Sequence, residues 1–149
     1  MTLDLAYAKS VAVLLPSYKH IRFVLVGAGG TGGFLASAIA RLMLEIEKSS
    51  GRTCTCTIVD PDIIEAKNIP RQNFQAAEIG LFKAEVLAMR YALALGCRFE
   101  AVARPFSSAI VRDGWNWTTI AIGCVDNAAA RTEISYCLDY NSSDQPPRI

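Results

Sequence analysis

Several short clusters in this chain carry groups able to handle a phosphate, and they follow one another in a set order. Gly27-Ala28-Gly29-Gly30-Thr31-Gly32-Gly33 comes first, then Asp60-Pro61-Asp62, then Asn68-Ile69-Pro70-Arg71-Gln72. Gly80-Leu81-Phe82-Lys83 and Cys124-Val125-Asp126-Asn127 complete the series. Glycines at this spacing allow a tight strand-to-helix turn and a close approach of backbone to phosphate. The helix opening beyond them offers unpaired N–H groups and a positive partial charge to an anion. A glycine loop alone speaks only for some nucleotide, against the alternative of a merely tight turn. An arginine, a lysine and a second acidic site add the expectation that bound phosphates react.

Each polar residue has a plainer reading beside the chemical one. Asp60 ends a predicted strand, where a carboxylate commonly accepts hydrogen bonds from ribose hydroxyls; the alternative is that it caps the following turn. Asp62 and Glu65 are ribose contacts on one reading and solvated loop charges on the other. Lys83 falls in the first turn of a predicted helix, where a cation opposes the helix dipole. Phosphate binding supplies a reason for it to be there; a solvated lysine is the alternative. Asp126 stands where a strand meets a helix and is a candidate N-cap. A carboxylate at the mouth of a phosphate site is equally a candidate ligand for Mg²⁺.

The elements that must position these groups are legible in the hydrophobic pattern. Residues 21–26 are apolar apart from Arg22 and read as a buried parallel strand running into the glycines. Leu35, Ile39, Leu42 and Ile46 form the stripe of an amphipathic helix that Ser49-Ser50-Gly51 stops. Residues 54–60 predict a second strand with Cys54 and Cys56 on one face. Residues 61–75 predict a loop with a helical turn near Arg71 to Phe74. Residues 81–95 predict a helix with Ala84, Leu87, Tyr91 and Ala94 inward, ended by Gly96. Residues 99–103 and 118–124 predict strands, and residues 127–140 a helix with Ala130, Ile134 and Cys137 inward. Alternating strands and helices predict an α/β fold, a Rossmann-like and mostly parallel sheet flanked by helices. Its strand ends would bring Asp60 and Asp126 to one crevice with the glycine loop.

Composition bounds the rest. A chain of 149 residues with 52% hydrophobic residues can bury a sizeable core. The pattern divides it into an N-terminal extension (1–20), a nucleotide-binding domain (21–140) and a polar tail (141–149) containing Pro146-Pro147. The apolar segment 11–15 is a core element or, alternatively, an interface strand. A net charge of +1 from 15 basic and 14 acidic residues argues against an electrostatic nucleic-acid binder. No apolar run reaches the roughly 20 residues that cross a bilayer, so no membrane partner is expected. Five scattered cysteines do not form a disulfide or zinc pattern and point to reduced thiols in a cytoplasmic protein.

Taken together, the clusters resemble the ThiF/MoeB/E1-like superfamily of adenylating enzymes. The resemblance rests on the glycine loop, Asp60 followed by Asn68, Arg71 and Gln72, then Gly80-x-x-Lys83 and Cys124-x-Asp126-Asn127 with Arg131. It runs from Phe23 to Arg131, and the wording around Asp60-Pro61-Asp62 and Glu78-Ile79-Gly80 looks most like the ThiF-type proteins of bacterial PRTRC systems. The resemblance implies ATP and Mg²⁺ as cofactors and adenylation of a carboxylate, most often the C-terminus of a ubiquitin-like or sulfur-carrier protein. It implies that Gly27, Gly29, Gly30 and Gly32 cradle the nucleotide and that Asp60 holds the ribose. Asn68, Arg71 and Lys83 would contact the phosphates, with Arg71, Lys83 and Asp126 acting in the reaction and Asp126 placing the metal. It further implies a homodimer or a partner subunit, although no arginine precedes Arg22 to reach a partner's nucleotide. The second half of such enzymes has no counterpart after Tyr140, and none of Cys54, Cys56, Cys97, Cys124 or Cys137 matches their catalytic cysteine. The expected chain is the nucleotide-binding half of an adenylating enzyme, without thioester transfer. The competing expectations are a non-catalytic ATP- or partner-binding module and an NAD-binding domain, in which Arg71 and Lys83 would lack a task.

Overall fold

The computed structural model of the protein describes residues 18–111 and 117–139. The expectations for residues 11–15, for Tyr140 and for the tail 141–149 lie outside the described residues. Four strands form, β1 (His20–Val26), β2 (Thr53–Val59), β3 (Phe99–Val102) and β4 (Trp117–Gly123). They alternate with helices α1 (Gly30–Ser50), α2 (Lys83–Leu95) and α3 (Ala128–Asp139). The order across the sheet is β3-β2-β1-β4, and every pairing is parallel. Leu25 lies between Ile58 and Ile122, which places β1 at the centre with neighbours on both sides. The chain steps one way from β1 to β2 and β3 and the other way to β4. The loops after β1 and β4 therefore diverge and leave a crevice between them.

Alternation along the strands divides the apolar residues between two faces. Ile21, Phe23 and Leu25 of β1 and Cys54, Cys56 and Ile58 of β2 pack under α1 and α2. Val24, Val26 and Val59 point the other way, toward Val125 and Ile134, with Phe106 and Ile110 beside them. Cys54 and Cys56 share a face, as their two-residue spacing requires. Burial pushes their thiols up to about 11 and about 12 respectively. No described helix is long and apolar enough to cross a membrane.

Three expectations need correction. The buried stripe of α1 is Ala36, Ile39, Ala40 and Met43 with Gly32 and Gly33, while Leu42 is exposed. Small residues let the helix lie close to the sheet, and that proximity outweighs the pull of the larger Leu42. In the loop after β2, the predicted helical turn at Arg71 to Phe74 is absent. Short 3₁₀ turns form instead at Ala66–Asn68 and Ala76–Glu78. Reciprocal side-chain caps, Glu65 with Asn68 and Gln75 with Glu78, fix them there. On α2, Ala84, Leu87 and Tyr91 are buried as expected, but Ala94 is exposed.

Candidate functional site

The crevice at the divergence of β1 and β4 is a cavity of about 1090 Å³. Gly27, Gly29, Gly30, Asp60, Asn68, Arg71, Lys83 and Asp126 all line it, so residues predicted from distant parts of the chain do converge. Gly32 does not line it but makes the loop possible. A β-carbon at Gly32 would stand 1.8 Å from the carbonyl oxygen of Gly27. Gly27 itself has φ +95°, and a β-carbon there would be 2.6 Å from the carbonyl oxygen of Cys124. The N-cap of α1 is Gly29, with no capping side chain and no acidic residue in the first turn. The positive end of a 21-residue helix is thus turned toward the cavity without an internal anion.

Asp60 is buried, and both of its carboxylate oxygens are engaged. Oδ2 accepts a hydrogen bond from the Ala28 N–H at 2.6 Å, and Oδ1 accepts one from the Asp62 N–H at 2.8 Å. The turn-capping reading of Asp60 is therefore realised, together with a bond that ties the glycine loop to β2. Each oxygen has a second lone pair, so ribose hydroxyls can still donate to it. Asn68 is also buried. Its Oδ1 accepts the Glu65 N–H at 2.9 Å, and its carbonyl accepts the N–H groups of Arg71 and Gln72. The first task of Asn68 is therefore to shape the turn that carries Arg71. Arg71 is exposed, and among the described residues its guanidinium is paired with no carboxylate.

Lys83 is the first residue of α2, since the helix begins later than the predicted 81. Its ammonium is buried and lies 2.8 Å from Oδ2 of Asp62. Gln72 lies on the same wall, and its Oε1 is buried without a hydrogen-bond partner. On the opposite wall, Asn127 caps α3 by accepting the Ala130 N–H on its Oδ1 at 2.8 Å. The capping alternative for Asp126 is thereby removed, and its exposed carboxylate faces the cavity uncommitted to the helix.

Two features escaped the sequence reading. Pro105 and Phe106 form an apolar part of the lining. They follow β3, and the rule that ligands sit beyond strand ends pointed there. The partnership of Asp62 with Lys83 had no local signal, because the two are brought together by the isolated bridge of Ile63 with Phe82.

The sequence profile of the ThiF family matches residues 13–143. The chain belongs to the ThiF family. Among solved structures, this ThiF-family chain is similar to the Escherichia coli tRNA N6-threonylcarbamoyladenosine dehydratase TcdA. Identity is 26%, with a TM-score of 0.63 over 80% of this chain and 48% of TcdA. TcdA in complex with ATP matches at 25% identity and a TM-score of 0.63, over 85% of this chain and 49% of that one. Escherichia coli MccB with succinimide shares the fold, at 19% identity and a TM-score of 0.61 over 85% of this chain and 36% of MccB. The chain thus spans about half the length of TcdA. No curated protein sequence matches it.

Proposed function

We propose that residues 21–140 form the ATP-binding unit of an adenylating enzyme acting on a carboxylate, such as the C-terminus of a ubiquitin-like or sulfur-carrier protein. The observation that carries this reading is the buried Lys83 ammonium sharing a cavity with an uncapped helix N-terminus. Two positive features converging on one space suit a polyphosphate better than a neutral ligand. The orphaned Oε1 of Gln72 adds a buried acceptor, which suits a hydroxyl or amino donor of a nucleoside rather than its phosphates. Family membership and the likeness to TcdA, solved with ATP, support the same reading.

In this reading ATP supplies the adenylyl group and pyrophosphate is the leaving group. The N–H groups at Gly29 and Gly30 hold phosphate oxygens, and Asp60 accepts from the ribose. Arg71 and Lys83 neutralise charge that grows between the α- and β-phosphates, where fixed cations lower the barrier without reorganisation. Asn68 keeps Arg71 in place and borders the phosphates. Asp126 would hold Mg²⁺, an ion that takes few protein carboxylates and completes its shell with water and phosphate. Five free thiols suit a reducing cytoplasm. A homodimer or a complex with a partner subunit is the assembly this reading expects.

The glycine loop with Asp60 also fits NAD, so the test sets ATP·Mg²⁺ against NAD. Ligand at 100 times its dissociation constant adds about 2.7 kcal/mol, readily visible as a rise in melting temperature. We expect that rise with ATP·Mg²⁺ and its reduction to about half or less in Lys83→Ala, whose affinity falls about 10- to 100-fold. Stabilisation by NAD alone would move the chain to the oxidoreductases. Stabilisation by ATP without pyrophosphate exchange on any carboxylate substrate would favour a non-catalytic module.

A further inference from the structure

Asp62 is a polar residue at the cavity that the reaction scheme leaves without work, although it holds the group on which the scheme most depends. Its Oδ2 is 2.8 Å from Nζ of Lys83. The side chain of Asp62 is 64% exposed while that of Lys83 is 7% exposed, so the carboxylate reaches from the cavity mouth to a cation lodged in the wall. The main chain fixes the pair as well. The Lys83 N–H donates to the Asp62 carbonyl at 3.0 Å, and the Ile64 N–H donates to the Leu81 carbonyl at 2.8 Å. Asp62 is itself held through its N–H by Asp60 Oδ1, and Asp60 Oδ2 holds the Ala28 N–H. One continuous set of hydrogen bonds therefore runs from the glycine loop through Asp60 and Asp62 to the ammonium of Lys83.

We infer that Asp62 is a positioning residue: it fixes the Lys83 ammonium in the cavity, at a set place relative to the glycine loop, before nucleotide arrives. This rests on the ATP-binding reading above. An ammonium has three donors. One stays on Asp62, and two remain for phosphate oxygens. Without the carboxylate, a four-carbon side chain with freely rotating bonds has to be ordered when the triphosphate binds, and that ordering subtracts from affinity. Proximity of a negative charge to phosphates works in the other direction. The two effects are separable, because only the first acts through Lys83.

The test is a double-mutant cycle on affinity for ATP·Mg²⁺, measured by calorimetry on the 149-residue chain carrying Asp62→Asn, Lys83→Met or both. Coupled neighbours predict that D62N weakens binding about three- to tenfold when Lys83 is present. In the K83M background D62N leaves affinity unchanged or tightens it, since only repulsion remains to be removed. The same loss in both backgrounds would overturn the assignment, as would tighter binding in the presence of Lys83. If D62N does not fold, Asp62→Glu carries the test. It keeps the charge pair and should stay within about twofold of wild type; a loss that persists in the K83M background overturns the assignment. Failure of the wild-type chain to bind ATP·Mg²⁺ at all would sink the ATP reading, and this inference with it.

Discussion

The two faces of the sheet are built to different standards. Under α1 and α2 lies a continuous core, with Leu25, Ile58, Met43 and Leu87 fully buried. On the α3 side the buried apolar residues are Val24, Val26 and Val59, with Ile134 and Phe106 only partly covered. There β4 presents Ala121 and Gly123, small and exposed. Among the described residues, β4 has no neighbour on its outer side. The cavity straddles this divide. Its glycine loop, Asp60 and Lys83 stand on the well-packed half, joined through Asp62 in a connected set of hydrogen bonds, whereas Asp126 and Arg131 stand on the thin half and are exposed. The contrast teaches which part of the site is preorganised. The wall bearing the glycine loop, Asp60 and Lys83 is tied together by its own hydrogen bonds, and the wall bearing Asp126 relies on one capped helix.

Substitutions can break that contrast, and glycines give the largest expected effect. An alanine at Gly32 would drive its β-carbon into the backbone oxygen of Gly27, where nothing flexible can yield. Gly32→Ala should cost about 4 kcal/mol, among the severest of point changes, and remove ATP binding. At Gly123, on the thin side, the added β-carbon meets only the Cδ1 tip of Ile134 at 3.0 Å. Gly123→Ala should cost less than about 1 kcal/mol. Chemical denaturation compares the pair, and equal losses would refute a rigid loop wall. Leu25→Ala opens a cavity in the continuous core and should cost about 3 kcal/mol, against about 1 kcal/mol for Ile134→Ala on the thin face. Comparable values from the same unfolding curves would mean that the α3 face is better packed than its burial implies.

The smallest expected effect separates two adjacent residues. Asn127→Ala removes the cap of α3 and should lower stability by about 1 kcal/mol. Asp126→Ala should change it by less than about 0.5 kcal/mol while lowering the Mg²⁺ dependence of nucleotide binding. If melting curves reverse that order, Asp126 holds the helix and its assignment to a metal loses support.

Much of this was written openly in the sequence. The sequence pattern marked the four strands to within a residue, most clearly in β1, because a parallel strand buried on both faces has little room for polar side chains. The glycines, Asp60 and Asp126 were legible through their places at strand ends. What stayed hidden depended on contact rather than pattern. Leu42 suits a buried stripe by type, yet Ala36 and Ala40 take that place because the helix sits close to the sheet. The loop turns are set by Glu65 with Asn68 and Gln75 with Glu78, pairs that differ from the familiar Ser or Thr cap with Glu. Asp62 stayed open between two readings because its partner lies on another segment, joined by the bridge of Ile63 with Phe82.

The central place of β1 has a consequence for the order in which the chain can acquire its structure. His20 stands beside Thr53 on one side and stacks on Trp117 on the other. The first neighbour is supplied by the next strand in sequence, and the second only after every other strand and two helices have been made. As the polypeptide is synthesised, the glycine loop and its helix can therefore settle against β2 while the far edge of β1 still has no partner. Among the described strands that edge of β1 is the last to gain a neighbour, and until then its row of free N–H and C=O groups is open to any other extended strand. The site is completed by the same late event, since the wall bearing Asp126 arrives with β4.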